Sequence, residues 1–221
     1  MDRYLQKESL SIVFLGEFNP VILQPYWLKN KELIREEEAK NAKVSVIHNE
    51  LVKYELDWVG IEVNKHRCEF TTTKSPYFEP LKDLASSVYK ILRETPIKSL
   101  GINHIYDLAL PNAEKYYEFG NILCPLNNWT DSLNDPKLLQ LEIFEKERKD
   151  NKNGHLRVKI APSEPKILYG VNFNINDHYM VESGSLGTNL EMVEMLEANW
   201  NDSIERAKSI VDDILTKTNL L

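Results

Sequence analysis

The chain has 221 residues, of which 42% are hydrophobic and 28% are charged, and its 27 basic and 34 acidic side chains give a net charge of −7. This composition predicts a folded protein with a core. The negative charge repels nucleic-acid phosphates and anionic membrane surfaces, so nucleic acid is a disfavoured but not excluded partner. No stretch approaches the ~18 apolar residues of a membrane helix. The apolar run 12–16 is too short for a secretory signal, which predicts a cytoplasmic protein without a membrane partner.

The first half of the chain is predicted to contain a strand, a helix, several strands and a second helix. A β-like segment comes first, and Pro25 then favours the start of a helix because its fixed φ suits a first helical turn. Alternating apolar residues predict strands between 44 and 70. Ser75 is a typical N-cap for a helix over 75–94. Helical spacing supports this helix through Phe78, Leu81, Ala85, Val88 and Leu92.

The second half shows the same order of elements. A strand is predicted over 100–110 and a short aromatic helix over 113–119, and three alternating segments follow. The last helix opens with a capping-box pattern at 188–191. Apolar residues then recur at steps of three and four: Val193, Leu196, Trp200, Ile204, Ala207, Val211 and Ile214. This stripe predicts a long amphipathic helix.

The shared order of elements predicts a tandem repeat, with one β-α-β(n)-α unit over 1–97 and a second over 98–221. The predicted fold class is α+β, with both repeats in one pseudo-symmetric globular unit. We expect their strands to form an antiparallel sheet with two long amphipathic helices packed on one face. The helices are too few to cover both faces, so the other face should be open to solvent or to a partner.

Two resemblances accompany this prediction. The order of elements resembles the helix-grip arrangement of the TATA-binding-protein-like fold, in which two such repeats join into one curved sheet. The chain is also similar to a family of uncharacterised, sporadically distributed bacterial proteins, through 78–92, 167–216 and the strand Leu100-Gly101-Ile102-Asn103-His104-Ile105. The Arg and Tyr of that family's strand are absent here. The resemblance implies architecture, and the family's distribution suggests a setting in bacterial defence or toxin neutralisation.

Polar residues on predicted strands are the first candidate binding surface. Asparagine and aspartate groups follow one another on the last strand and could hydrogen-bond a partner or a polar ligand, and two histidines lie at strand ends. These residues are Asn172, Asn174, Asn176, Asp177, His104 and His178. A solvated sheet face explains the asparagines without any function and is the simpler interpretation.

The loop before the last helix is the second candidate, as an anion site. Free N–H groups at a helix N-terminus attract anions. The loop residues are Ser183, Gly184, Ser185, Gly187 and Thr188. Neither a lysine after the second glycine nor a GxGxxG spacing is present, so a plain loop is the simpler interpretation.

The sequence contains no motif for a catalytic, metal or cofactor site. The five histidines lie in separate predicted elements, the two cysteines are predicted to be free thiols, and no serine has a nucleophile-elbow context. We therefore expect no cofactor and no metal site, and the leading hypothesis is a non-enzymatic interaction module that binds a partner protein. Whether the chain forms a homo-oligomer is left open.

Two alternative functions are carried forward. The first is a small-ligand-binding or enzymatic helix-grip protein, which requires a large pocket between sheet and helices, lined by polar groups such as His104 or Tyr169. The second is nucleic-acid binding on the open sheet face. The basic residues that could serve it alternate on predicted strands: Lys65, Arg67, Arg157 and Lys159.

Overall fold

The computed structural model describes residues 1–181 and 189–220. Within them, nine antiparallel strands form one sheet in the order β2-β3-β4-β5-β1-β6-β9-β8-β7. The strands are β1 (Leu5–Gly16), β2 (Lys43–His48), β3 (Leu51–Glu55), β4 (Gly60–Asn64), β5 (Arg67–Thr72), β6 (Ile97–Ala109), β7 (Leu141–Glu145), β8 (Gly154–Pro162) and β9 (Gly170–Met180). The helices are α1 (Pro25–Asn30), α2 (Glu36–Lys40), α3 (Phe78–Ile91), α4 (Ala113–Leu123) and α5 (Asn189–Lys217). The predicted α+β class with an antiparallel sheet is confirmed.

The long strands β1 and β6 lie side by side at the centre of the sheet. Their register places Ile12 opposite Ile102 and Phe14 opposite Leu100. Strands of the first half of the chain extend from β1 to the edge strand β2, and strands of the second half extend from β6 to the edge strand β7. One continuous sheet therefore joins the two halves.

Helices α3 and α5 cover the same face of this sheet. The ring of Tyr89 in α3 lies 4.6 Å from the ring of Phe14 in β1, while α5 packs on β6 and β9. The two helices also contact each other, because the indole Nε1 of Trp200 donates a hydrogen bond to Oε1 of Glu79 at 2.5 Å. We call the side with these helices the covered face and the other side the open face.

Only one helix of the expected long pair is long. Helix α5 has 29 residues, and the core side of its predicted stripe is buried at Val193, Leu196, Trp200, Ala207 and Val211. Helix α3 has 14 residues. The predicted start of α3 is also corrected, because Ser75–Tyr77 forms a separate 3-10 turn that precedes it.

The connection between β7 and β8 is longer than a two-residue hairpin turn. It runs over 146–153, and Gly154 is already the first residue of β8. This glycine has φ of 142°, and a Cβ atom there would lie 2.0 Å from the carbonyl oxygen of His178. Gly154 is therefore required by close backbone packing. In the part of the chain that the structure describes, none of the helices has the length and apolar character needed to cross a bilayer.

Candidate functional site

The three asparagines of β9 lie together on the open face, where they are half-buried. Their amides bond to neighbouring strands: Asn172 donates to Oδ1 of Asp107 at 2.8 Å, and Asn176 donates to Asn103. Asn103 in turn donates to Oγ of Ser11 at 3.1 Å. The asparagine row is therefore partly satisfied within the protein and forms a neutral polar strip across the sheet centre.

The structure separates two of the predicted surface residues from this strip. Strand alternation places His104 and Asp177 on the covered face, where they are 2% and 1% exposed. Burial lowers the pKa of His104 to about 4, against the attraction of Asp177. Assigning these two side chains to an accessible surface is thus wrong, because neither can contact a partner.

His104 contacts a serine of α5 in the interior. Its Nε2 lies 2.9 Å from Oγ of Ser203, and Asp177 is close enough to influence its pKa. The three residue types match those of a hydrolase triad, but Ser203 is buried inside a helix, and no hydrogen bond among the described residues joins His104 to Asp177. A nucleophile must be reachable by substrate. We interpret this group as a structural part of the core.

A buried ionic cluster lies beside this group. The guanidinium of Arg148, whose side chain is fully buried, donates to Asp150 through Nε at 2.9 Å and Nη2 at 2.7 Å, and to Asp177 through Nη1. Tyr179 donates its hydroxyl to Oδ2 of Asp177 at 2.8 Å. Arg206 of α5 also pairs with Asp150. The cluster fastens the β7–β8 connection to β9 and α5.

The electrostatics of the cluster follow from these hydrogen bonds. Bonds from Arg148 hold the pKa of Asp150 well below its usual range, in spite of partial burial. Every charged side chain in the cluster contacts a side chain of opposite charge. Removal of one of them would leave a buried charge without compensation, which strongly destabilises a protein. This role of Arg148 could not be predicted from the sequence, since Arg148 lies in a charged run that is typical of an exposed loop.

An apolar cavity of about 740 Å³ opens near the β7 end of the sheet. It lies between α4, the segment 126–139 and the ends of β8 and β9. Rings of Tyr116 and Phe119 form one wall, and Ile160 and Val171 form another. Binding pockets commonly have volumes of about 300–1,000 Å³, so this cavity can accept large apolar groups. It is not the pocket required by the ligand-binding alternative, because neither His104 nor Tyr169 lines it.

The edge strand β7 adjoins this cavity. Leu141 pairs with Ile160, a residue of the cavity wall. Apolar side chains on both faces of β7 are exposed, Ile143 by 56% and Phe144 by 55%, and Leu139 just before the strand is exposed by 78%. Among the described residues, β7 pairs with β8 alone, so its outer main-chain groups are available for another strand.

A pair of histidines lies on the open face close to β7. The rings of His155 and His178 are 4.4 Å apart and nearly parallel, and Phe144 lies 5.0 Å from His155. Burial lowers the pKa of both rings, that of His178 to about 4 with contributions from His155 and the guanidiniums of Arg148 and Arg157. Both rings are therefore uncharged at neutral pH.

The remaining sequence predictions concern the anion loop, a metal site and the two cysteines. The anion-loop residues Ser183, Gly184, Ser185, Gly187 and Thr188 lie outside the described residues. Over residues 1–181 and 189–220, no group of three or more His, Cys, Asp or Glu side chains is arranged to hold a metal ion. Both cysteines are free thiols.

No protein-family model matches the chain, and no curated protein matches it significantly.

Proposed function

We propose that the protein is a non-enzymatic interaction module that binds an extended segment of a partner protein along β7 and in the adjoining cavity. The observation that carries this proposal is the exposed apolar surface at an unpaired sheet edge, formed by Leu139, Ile143 and Phe144 beside the cavity. Exposed apolar groups at an open edge favour association, and natural sheets usually protect such edges.

The binding mode that fits this site is strand addition. An extended peptide can hydrogen-bond to the outer main-chain groups of β7, while its alternate side chains contact the two faces of the sheet. On the covered face these side chains would meet Ile143 and the cavity, and on the open face they would meet Phe144. An apolar anchor in the cavity and main-chain pairing along β7 together specify register and orientation.

Charge near the edge indicates the chemistry of the partner. The segment 135–147 carries four acidic residues, Asp135, Glu142, Glu145 and Glu147, against the two basic residues Lys137 and Lys146. Lys137 is already paired with Asp135 at 2.6 Å. Glu142 pairs with Arg157 at 3.4 Å. The remaining charge of Glu145, Glu147 and Lys146 is negative, as is that of the whole chain. A segment that alternates apolar and basic residues is therefore the complementary partner.

The buried ionic cluster supports this proposal by holding the edge in place. Arg148 lies in the β7–β8 connection, three residues after the end of β7, and is bonded to Asp177 of β9. A fixed edge loses little conformational entropy when a partner strand binds.

Selection from a display library of short random peptides tests the proposal. We expect the selected peptides to alternate apolar residues with Lys or Arg. Fluorescence anisotropy then compares a selected peptide on wild type, Ile143→Asp and Val44→Asp. Val44 is the matched control because it is 50% exposed on the opposite edge strand β2. Ile143→Asp should weaken binding by roughly tenfold or more, and Val44→Asp should not. Equal affinity for both variants would contradict the proposal.

A small apolar ligand in the cavity is the second candidate, favoured by the cavity's volume. It predicts that filling the cavity with Gly120→Leu blocks an apolar ligand, while Ile143→Asp does not. Nucleic-acid binding receives less support, because Arg67 and Arg157 on the open face pair with Glu69 and Glu142. Paired cations release fewer counterions from a phosphate backbone.

We also propose that the halves 1–97 and 98–221 are a tandem repeat. The central pairing of β1 with β6 supports this, since the last strand of each half, β5 or β9, lies beside the first strand of the same half. Each half also ends in a helix on the covered face. Membership of the sporadic bacterial family and a role in defence stay predictions.

A further inference from the structure

Two imidazoles face each other across neighbouring strands of the open face. His155 of β8 pairs directly with His178 of β9, and their ring centroids are 4.4 Å apart. In the described part of the chain, His155 and His178 form hydrogen bonds through their own main-chain atoms and not through their rings. The ring nitrogens are therefore available, and an uncharged imidazole is the commonest metal ligand in proteins.

A thioether lies next to this pair. Met180 follows His178 by two positions, so it lies on the same face of β9, about 7 Å along the strand. It is 44% exposed. On the neighbouring strand β6, Gly101 stands opposite His178 and Ser99 opposite Met180. The methionine side chain is long and flexible, so its sulfur can move toward His178 along the strand.

The spacing of the rings suits one shared ion. Metal–imidazole bonds are about 2.0–2.1 Å long, so two nitrogens that bind one ion lie within about 4 Å of each other. Rings that are 4.4 Å apart reach that separation by rotation about χ2, which is a soft torsion in histidine. Neither ring needs to break a side-chain hydrogen bond among the described residues to do so.

The ligand set selects the metal. Imidazole suits copper, nickel and zinc, whereas a thioether is a soft ligand that favours Cu⁺. Among divalent ions, Cu²⁺ binds nitrogen sites more tightly than Zn²⁺ does. Two imidazoles and one thioether therefore favour copper in either oxidation state, with water completing the coordination of Cu²⁺.

We propose that His155, His178 and Met180 form a copper-binding site on the open face of the sheet. The site adjoins the proposed docking edge, because Phe144 lies 5.0 Å from His155, but it does not depend on that proposal.

Metal titrations of the full chain test this proposal. Isothermal titration calorimetry with Cu²⁺ and with Zn²⁺ compares wild type with His178→Asn, and with His66→Asn, an exposed histidine on the β4–β5 turn, as the control. Cu⁺ is kept reduced with ascorbate and titrated against a chromogenic chelator, in a Cys124→Ser background that removes a competing, partly exposed thiol. Met180→Leu is compared in both experiments.

We expect one Cu²⁺ per chain, bound more tightly than Zn²⁺. His178→Asn should weaken Cu²⁺ binding by roughly tenfold or more, because one of two imidazole ligands is lost. Met180→Leu should weaken Cu⁺ binding and leave Cu²⁺ binding unchanged. Circular dichroism verifies that each variant is folded, and His155→Asn repeats the test should His178→Asn unfold. Absence of saturable Cu²⁺ binding, or an affinity for Cu²⁺ equal to that of wild type in both His155→Asn and His178→Asn, would overturn the site. An unchanged Cu⁺ affinity in Met180→Leu would remove Met180 from it.

Discussion

The two ends of the nine-stranded sheet differ in how they meet solvent. At the β2 end the edge strand has a register shift between Val44 and Val46, an irregularity that discourages the pairing of a further strand. At the β7 end the pairing is regular, and apolar side chains extend from the edge to the cavity. The register shift at β2 disfavours a further strand at that edge, whereas the regular edge at β7 can accept one.

The interiors of the two ends differ as well. In the first half, the buried hydroxyl of Tyr54 has no hydrogen-bond partner among the residues that the structure describes, and it lies in a mostly apolar core. In the second half, Arg148, Asp150 and Asp177 form a connected ionic cluster inside the protein. Apolar packing holds the β2 end, while paired buried charges hold the connection that follows β7.

The largest expected effect comes from breaking the ionic cluster. Arg148→Ala removes the fully buried cation of the cluster and leaves only the partly exposed Arg206 beside Asp150 and Asp177. Loss of one partner from a buried ion pair costs about 3–5 kcal/mol. The matched variant Arg67→Ala removes a half-exposed pair with Glu69, for which about 0–1 kcal/mol is expected. Urea unfolding followed by tryptophan fluorescence measures both free energies. Similar losses of unfolding free energy in Arg148→Ala and Arg67→Ala would show that the ionic cluster does not distinguish the two ends of the sheet.

The next effect concerns acid stability. The folded-state pKa of His104 is about 4, below its unfolded value of about 6.5, so the unfolded chain takes up the proton first as pH falls. The contribution of His104 to the free energy of unfolding is complete above pH ~6.5. It declines as the pH falls toward ~4, by about 3 kcal/mol in total. Unfolding free energies at pH 7 and pH 4.5 should differ less in His104→Gln than in wild type. The control His66→Gln alters an exposed ring of the β2 end and should keep the wild-type difference.

Two smaller effects on stability compare the buried hydroxyls at the two ends of the sheet, with one tyrosine substitution at each end. Tyr179→Phe removes a hydrogen bond to the carboxylate of Asp177, which should destabilise the protein by about 1.5–3 kcal/mol. Tyr54→Phe removes a hydroxyl that is buried without a partner, so it should be neutral or stabilising by about 1 kcal/mol. Differential scanning calorimetry detects the opposite signs. A loss of stability in Tyr54→Phe equal to that in Tyr179→Phe would contradict the contrast.

Local patterns in the sequence predicted much of the fold. The stripe of α5 and the alternation on β9 depend on residues that are close in the chain, and both patterns appear in the structure. The length of α3 was overestimated, because Leu92 continues the apolar spacing although the helix ends at Ile91. Spacing alone does not reveal where main-chain hydrogen bonding stops.

The candidate sites depend on pairings between distant segments, which the sequence does not show. His155 and His178 become neighbours only through the register of β8 with β9, and Arg148 meets Asp177 across 29 positions. The cavity results from the way α4 and the following segment pack on the sheet. Strand alternation alone predicts that Asp177 lies on the opposite face of β9 from the asparagines, because neighbouring residues of a strand point to opposite faces.

Amide hydrogen exchange with a bound peptide tests most directly whether β7 is the docking edge. A peptide selected by display would be added at saturation, and exchange would be followed by mass spectrometry at β7 and at β2. The proposal predicts slower exchange concentrated at β7 and in the cavity wall of α4, with β2 unchanged. Slower exchange at β2 or across the asparagine strip of β9, with β7 unchanged, would contradict it.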